Sequence, residues 1–167
     1  MSNKPALLST VPFSLFSQWD VKQFFFAKIL SKYPVEELGK HLIHQTEKIQ
    51  LSDEPTKEFT LLGVSNKIGM FDGSTEKGSK IKQKYHVVKD NWLAYNPYRI
   101  NVGSIGIKTP NLKGSYISPA YVVFSCKDTI LPEYLWLMMK SDFFNKLIKD
   151  STTGSVRQTL HFEKLVD

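Results

Sequence analysis

Apolar positions follow a helical spacing at both ends of the chain and a strand-like one between them. From Gln18 to Ser31 the residues Trp19, Val21, Phe24, Phe25, Phe26, Ile29 and Leu30 predict a helix, with Ser17 as its N-cap and Tyr33-Pro34 as its stop. Met1 to Ser17 reads as an irregular arm, and Pro34 to Leu42 as a short helical turn that Glu36 and Glu37 suit electrostatically. After a polar loop over Lys48 to Lys57 comes a strand, Phe59 to Val64. Ser65 to Ser79, with Gly69, Gly73 and Gly78, reads as the longest exposed loop. Lys80 to Val88 alternates charged and apolar residues, as a strand with one wet face does.

From Trp92 to Phe124 strand-like residues and turn signals form one block. Trp92 to Tyr95 and Ile100 to Val102 have β composition, and Asn96-Pro97 separates them. Gly103 and Gly106 bracket Ser104-Ile105, which suggests a bend where another backbone or a ligand approaches. Lys113-Gly114 and Ser118-Pro119 are turns, and Ala120 to Phe124 is a buried strand. Thr129 can cap a helix from Leu131 to about Lys149, apolar on most sides and therefore extensively buried, with a possible break at Ser141-Asp142. Ser151 to Gly154 is a small-residue loop, and His161 to Val166 starts a terminal turn or helix. The sum is an α+β fold: a curved, mostly antiparallel sheet backed by the Leu131 to Lys149 helix.

The chain has 167 residues, 41% hydrophobic and 23% charged, enough for one domain with a proper core. Its net charge of +6 favours an anionic partner, because counterion release from a polyanion rewards each well-placed cation. A single cysteine, Cys126, excludes an internal disulfide and a cysteine-rich zinc site and fits a reducing, cytoplasmic compartment. No apolar run approaches the roughly 20 residues that span a bilayer, so no membrane is expected.

Lys80, Lys82 and Lys84 would project from one face of the predicted strand, beside Lys77. Such a row suits a phosphate backbone, and equally a solvated edge strand kept soluble by lysines. Tyr98, Arg99, Asn101 and Ser104 sit beside turn glycines, and Arg and Asn are the side chains that bond guanine and adenine edges in two places. Gly154, Ser155, Arg157 and Gln158 suit a phosphate grip, or Arg157 pairs with Glu163 or a carbonyl. The glycine-rich segment from Lys67 to Gly78 is the better candidate for reading bases, since exposed loops vary without unfolding their frame. His41, His44, His86 and His161 lack metal-ligand companions, and no nuclease pattern appears. Asn96-Pro97-Tyr98-Arg99 is not the Asn-Pro-Pro-Tyr motif of amino-methyltransferases, and no glycine-rich turn for S-adenosylmethionine precedes it.

The block from Tyr95 to Gly106 (YNPYRINVGSIG), then Gly114, then Ser118 to Phe124 (SPAYVVF), resembles the target recognition domain of the specificity (S) subunit of Type I restriction-modification systems. Leu131-Pro132-Glu133-Tyr134-Leu135, Gly154-Ser155-Val156-Arg157 and Tyr33 to Gly39 extend the likeness. It implies a recognition domain over residues 33–167, preceded by an arm and helix over 1–32. It also implies double-stranded DNA as partner, and a non-catalytic role directing adenine methyltransferase (M) and restriction (R) subunits. Those subunits would use S-adenosylmethionine, and ATP with Mg; this chain would carry no cofactor. DNA contacts would come from Lys67, Lys77, Lys80, Lys82, Lys84, Tyr98, Arg99, Asn101, Ser104, Lys113, Ser155, Arg157 and Gln158. A domain whose targets vary should not fix its readers in a shared framework, so the Tyr98 to Ser104 cluster is expected to hold sheet and phosphates rather than read bases. Complete S subunits carry two such domains and long spacer helices, and this chain stops where one would begin. A half subunit, the recognition domain of a fused methyltransferase, and a protein-binding module docking onto a methyltransferase are the alternatives.

Overall fold

A computed structural model describes residues 32–151 and 159–166. The predicted N-terminal arm and helix lie outside them. In chain order the strands are β1 (Leu42–His44), β2 (Lys48–Ile49), β3 (Glu58–Ser65), β4 (Gly69–Lys77), β5 (Tyr85–Val87), β6 (Leu93–Tyr95), β7 (Ile105–Ile107), β8 (Tyr116–Ile117) and β9 (Val122–Cys126). The helices α1 (Pro132–Lys140), α2 (Asp142–Ser151) and α3 (Phe162–Val166) follow.

The α+β expectation holds, with the strands divided between two sheets rather than curved into one. The first sheet runs β1-β9-β6-β7, every pair antiparallel; the second runs β2-β5-β8-β3-β4, with β3 and β8 its one parallel pair. Strand β6 shows why the layers stack as they do. Successive side chains of a strand point to opposite faces. Leu93 and Tyr95 enter one core with Phe124, Leu135, Met139 and Ile148, whereas Ala94 enters another with Leu62, Met70, Ile117 and Val123. All three β6 residues are 0% exposed, so the first sheet lies between the helices and the second sheet.

Gly106 lets the sheets touch. A Cβ there would overlap the backbone nitrogen of Met70 at the start of β4, so only glycine admits the close approach foreseen for this position. The Tyr95 hydroxyl then donates to the Leu160 carbonyl at 3.0 Å, fastening the segment that leads into α3 to the same core.

Five expectations about these elements are corrected. Ser65 to Ser79 is mostly strand: β3 and β4 form a hairpin around Asn66–Ile68, where Gly69 at φ 79° closes the turn and Gly73 lies beside a register shift between Thr60 and Leu62. Lys80 to Val88 is strand only at β5. Ile81 is buried with Leu51 and Phe59, and the Gln50 amide donates to the Lys82 carbonyl at 3.1 Å in place of a strand partner. Lys80, Lys82 and Lys84 are therefore exposed but do not form the row that strand alternation would give.

Ile100–Val102 is a 3-10 turn. Asn96 Oδ1 accepts from the Tyr98 amide at 3.0 Å and its carbonyl from the Arg99 amide at 3.0 Å, which bends the chain before its β-branched residues can extend. The helix after Leu131 does divide at Ser141, whose hydroxyl donates to the Met138 carbonyl and accepts from the Phe144 amide. Thr129 does not cap it; Leu131 holds that position, and Thr129 bonds His41 Nδ1 at 2.8 Å. Nor is α1 buried all round. Leu135 and Met139 are 0% exposed, whereas Leu131, Tyr134 and Leu137 face outward at 62% or more.

Candidate nucleic-acid interface

The β3–β4 turn and the Asn96 to Ser104 segment lie far apart in sequence and share one cavity of about 260 Å³. Ser65 and Asn66 line it from the hairpin; Asn96, Arg99, Ser104 and Tyr121 line it from the first sheet's side. Ser104 is buried, and its hydroxyl reaches the Val64 carbonyl at 3.5 Å, so it ties the hairpin to the framework. Arg99 is exposed, and among the described residues its guanidinium has neither an ion pair nor a hydrogen-bond acceptor. Tyr98 beside it is 57% exposed, and Lys67 is exposed at the hairpin tip.

Of the sequence-predicted residues the cavity brings together Arg99 and Ser104, and Lys67 and Tyr98 adjoin its lining residues Asn66 and Arg99 in the chain. Asn101 is half-buried in the 3-10 turn packed against α2. Lys113 is exposed elsewhere, where its amide and that of Gly114 donate to the Asp72 carboxylate at 3.0 and 2.9 Å. Lys77 ends β4, and Lys80, Lys82 and Lys84 follow it, so these four belong to the opposite end of the hairpin. Lys80 and Lys82 border an open groove with Glu76, which pairs with Lys80 at 3.8 Å. Ser155, Arg157 and Gln158 lie outside the described residues.

Sequence reasoning missed Asn66 and Tyr121. A Ser-Asn-Lys run between two strand patterns was the available signal for Asn66; Tyr121 reaches the cavity only through tertiary packing. Chemically the cavity offers hydrogen-bond donors and a guanidinium, and no general base lines it. Burial, with Glu133 adding to it, pushes the Cys126 thiol up to about 11, so it supplies no thiolate at neutral pH. Among the described residues no three His, Cys, Asp or Glu side chains are grouped to hold a metal ion, and no helix is long and apolar enough to cross a membrane.

No protein-family model matches the chain, and no curated protein does. Solved structures do. The HsdS subunit from Thermoanaerobacter tengcongensis matches 78% of this chain at 18% identity, with a TM-score of 0.63. The chain shares the fold of a part of that HsdS subunit. A chain from work on complex assembly and conformational transition of the type I R-M system matches 83% at 19% identity, with a TM-score of 0.66. This chain spans 35% and 38% of the lengths of those two, so it matches a part of each. The resemblance in the Tyr95 to Phe124 block thus holds at the level of the fold.

Proposed function

We propose that this chain is a DNA target recognition domain: it binds duplex DNA and positions it for other polypeptides that do the chemistry. One observation carries the reading. On a fold shared with part of HsdS, the amides of Asn66 and Asn96 and a guanidinium that has no partner among the described residues line one cavity at the end of a hairpin whose tip exposes Lys67. Arg99 and Lys67 supply phosphate attraction, and the neighbouring polar side chains supply contacts to sugar and base edges. In this reading adenine methyltransferase subunits and a restriction subunit are the partners, with S-adenosylmethionine, ATP and Mg bound on them. A fused adenine methyltransferase would use the same domain in the same way.

The outward apolar stripe of Leu131, Tyr134 and Leu137 favours a second reading, a module that docks onto a methyltransferase through protein contact alone. Salt separates the two. Fluorescence anisotropy with a random-sequence duplex between about 50 and 200 mM salt should show affinity falling steeply, with a slope of several in log K against log salt. Absent or salt-insensitive binding would leave only the docking module.

A further inference from the structure

We infer that the hairpin tip Asn66-Lys67-Ile68 is the base-reading element, and that it selects an A·T base pair through Ile68 on the thymine methyl and Asn66 on the adenine edge. This rests on the DNA-binding reading and adds to it where the specificity lies and for which base pair.

Ile68 carries the argument. It is 67% exposed at the point of the chain where turn chemistry calls for a small or polar residue. Its neighbours at the tip, Asn66 and Lys67, are exposed and polar, so its side chain does not join a larger apolar patch within the turn. A major groove about 12 Å wide admits a two-stranded ribbon, and thymine's methyl is the apolar group on its floor. Asn is suited to adenine N6 and N7 together. Lys67 between them is placed for a phosphate, and Arg99 beyond the shared cavity can hold the ribbon's register on the backbone.

A reader must be stiff, and this tip is held at three points. The Lys67 amide donates to Ser65 Oγ at 3.1 Å, and the Ser104 hydroxyl reaches the Val64 carbonyl. Gly69 sits in the left-handed region against the Trp136 ring, whose indole N–H donates to the Ile105 carbonyl at 3.3 Å. Contacts at the tip therefore meet little conformational cost on binding.

The test begins with the full chain selecting from a random duplex library. The enriched site is then remade with uracil in place of each thymine, which removes the methyl group and keeps the pairing. Wild type should enrich a site with a required A·T pair and lose about fivefold in affinity when its thymine becomes uracil. Ile68→Ser should bind both duplexes alike, Asn66→Ala should lose discrimination at the same pair, and Lys67→Ala should weaken all duplexes equally. An enriched site without a required A·T pair, or an equal uracil penalty in Ile68→Ser and wild type, overturns this inference and leaves DNA recognition standing. Failure of wild type to bind any duplex overturns both.

Discussion

The two ends of the β3–β4 hairpin are both cationic and differ in what surrounds the charges. At the open end Lys77 lies across from Glu58 in the strand register, Lys80 pairs with Glu76, and Lys57 pairs with Glu54 at 2.8 Å. At the tip Lys67 and Arg99 have no carboxylate within ion-pairing distance among the described residues. With eight residue steps of β4 between them, the ends stand roughly 25 Å apart. Nearby carboxylates thus offset one group of cations and, among the described residues, leave the other without a partner, a distinction that a net charge conceals.

A glycine seats each end, Gly78 against the Leu51 and Glu54 carbonyls and Gly106 against Met70, and the seat at the tip gives the largest expected effect. Gly106→Ala forces β7 away from Met70, which should cost about 3 kcal/mol and lower the thermal midpoint by roughly 10 °C. An unchanged midpoint would mean that the hairpin tip is not seated on the first sheet and is not held stiff by it.

On the open-end side, β5 carries a buried histidine that ties its strand pairing to pH. Among the described residues His86 Nδ1 has no hydrogen-bond partner, and burial first, then Lys48 and His44, lower its pKa to about 4. The folded state keeps this ring neutral while the unfolded chain takes up a proton below about 6.5. Its stabilising contribution is therefore complete above that value and is lost as pH falls from about 6.5 towards 4. Urea titrations should show about 2 kcal/mol less stability at about pH 5 than at pH 7, a difference that shrinks in His86→Phe. Equal pH dependence in the two proteins would show that His86 is solvated.

Arg99→Ala comes next. Removing one charge-assisted phosphate contact should weaken binding about tenfold on every duplex and reduce the log–log salt slope by about one. A loss confined to one base pair would make Arg99 a reader and transfer that role from the tip.

Where local composition decides structure, the sequence was legible. Phe59 to Val64 and Trp92 to Tyr95 are strands because every apolar residue in them has a core to enter, and Ser141 divides the last long helix because its hydroxyl serves both ends of the break. Where a distant group decides, it was not. Residues 69–77 look like loop by their glycines and become strand because β3 supplies a partner for the whole run. Ile100–Val102 has strand composition and curls because Asn96 captures two amides. The same division runs through the site. Asn96, Arg99 and Ser104 are neighbours in sequence, but their union with Asn66 depends on the chain folding back across some thirty residues.

The smallest effect is the one that would most directly reverse the comparison. In sequence, Lys80, Lys82 and Lys84 were the strongest cationic signal because alternation would align them, and the 3-10 turn at Gly78–Lys80 with irregular backbone after it removes that alignment. Lys80 is further offset by Glu76, although a pair so exposed is held weakly. Replacing all three by alanine should therefore lower duplex affinity by only about twofold to threefold, through the general loss of positive field, and change the salt slope by less than the Arg99 substitution does. Anisotropy titrations of both variants at two salt concentrations decide the matter. If the triple variant loses more affinity and more slope than Arg99→Ala, the DNA lies along the open end, and the cations at the tip serve some other anion.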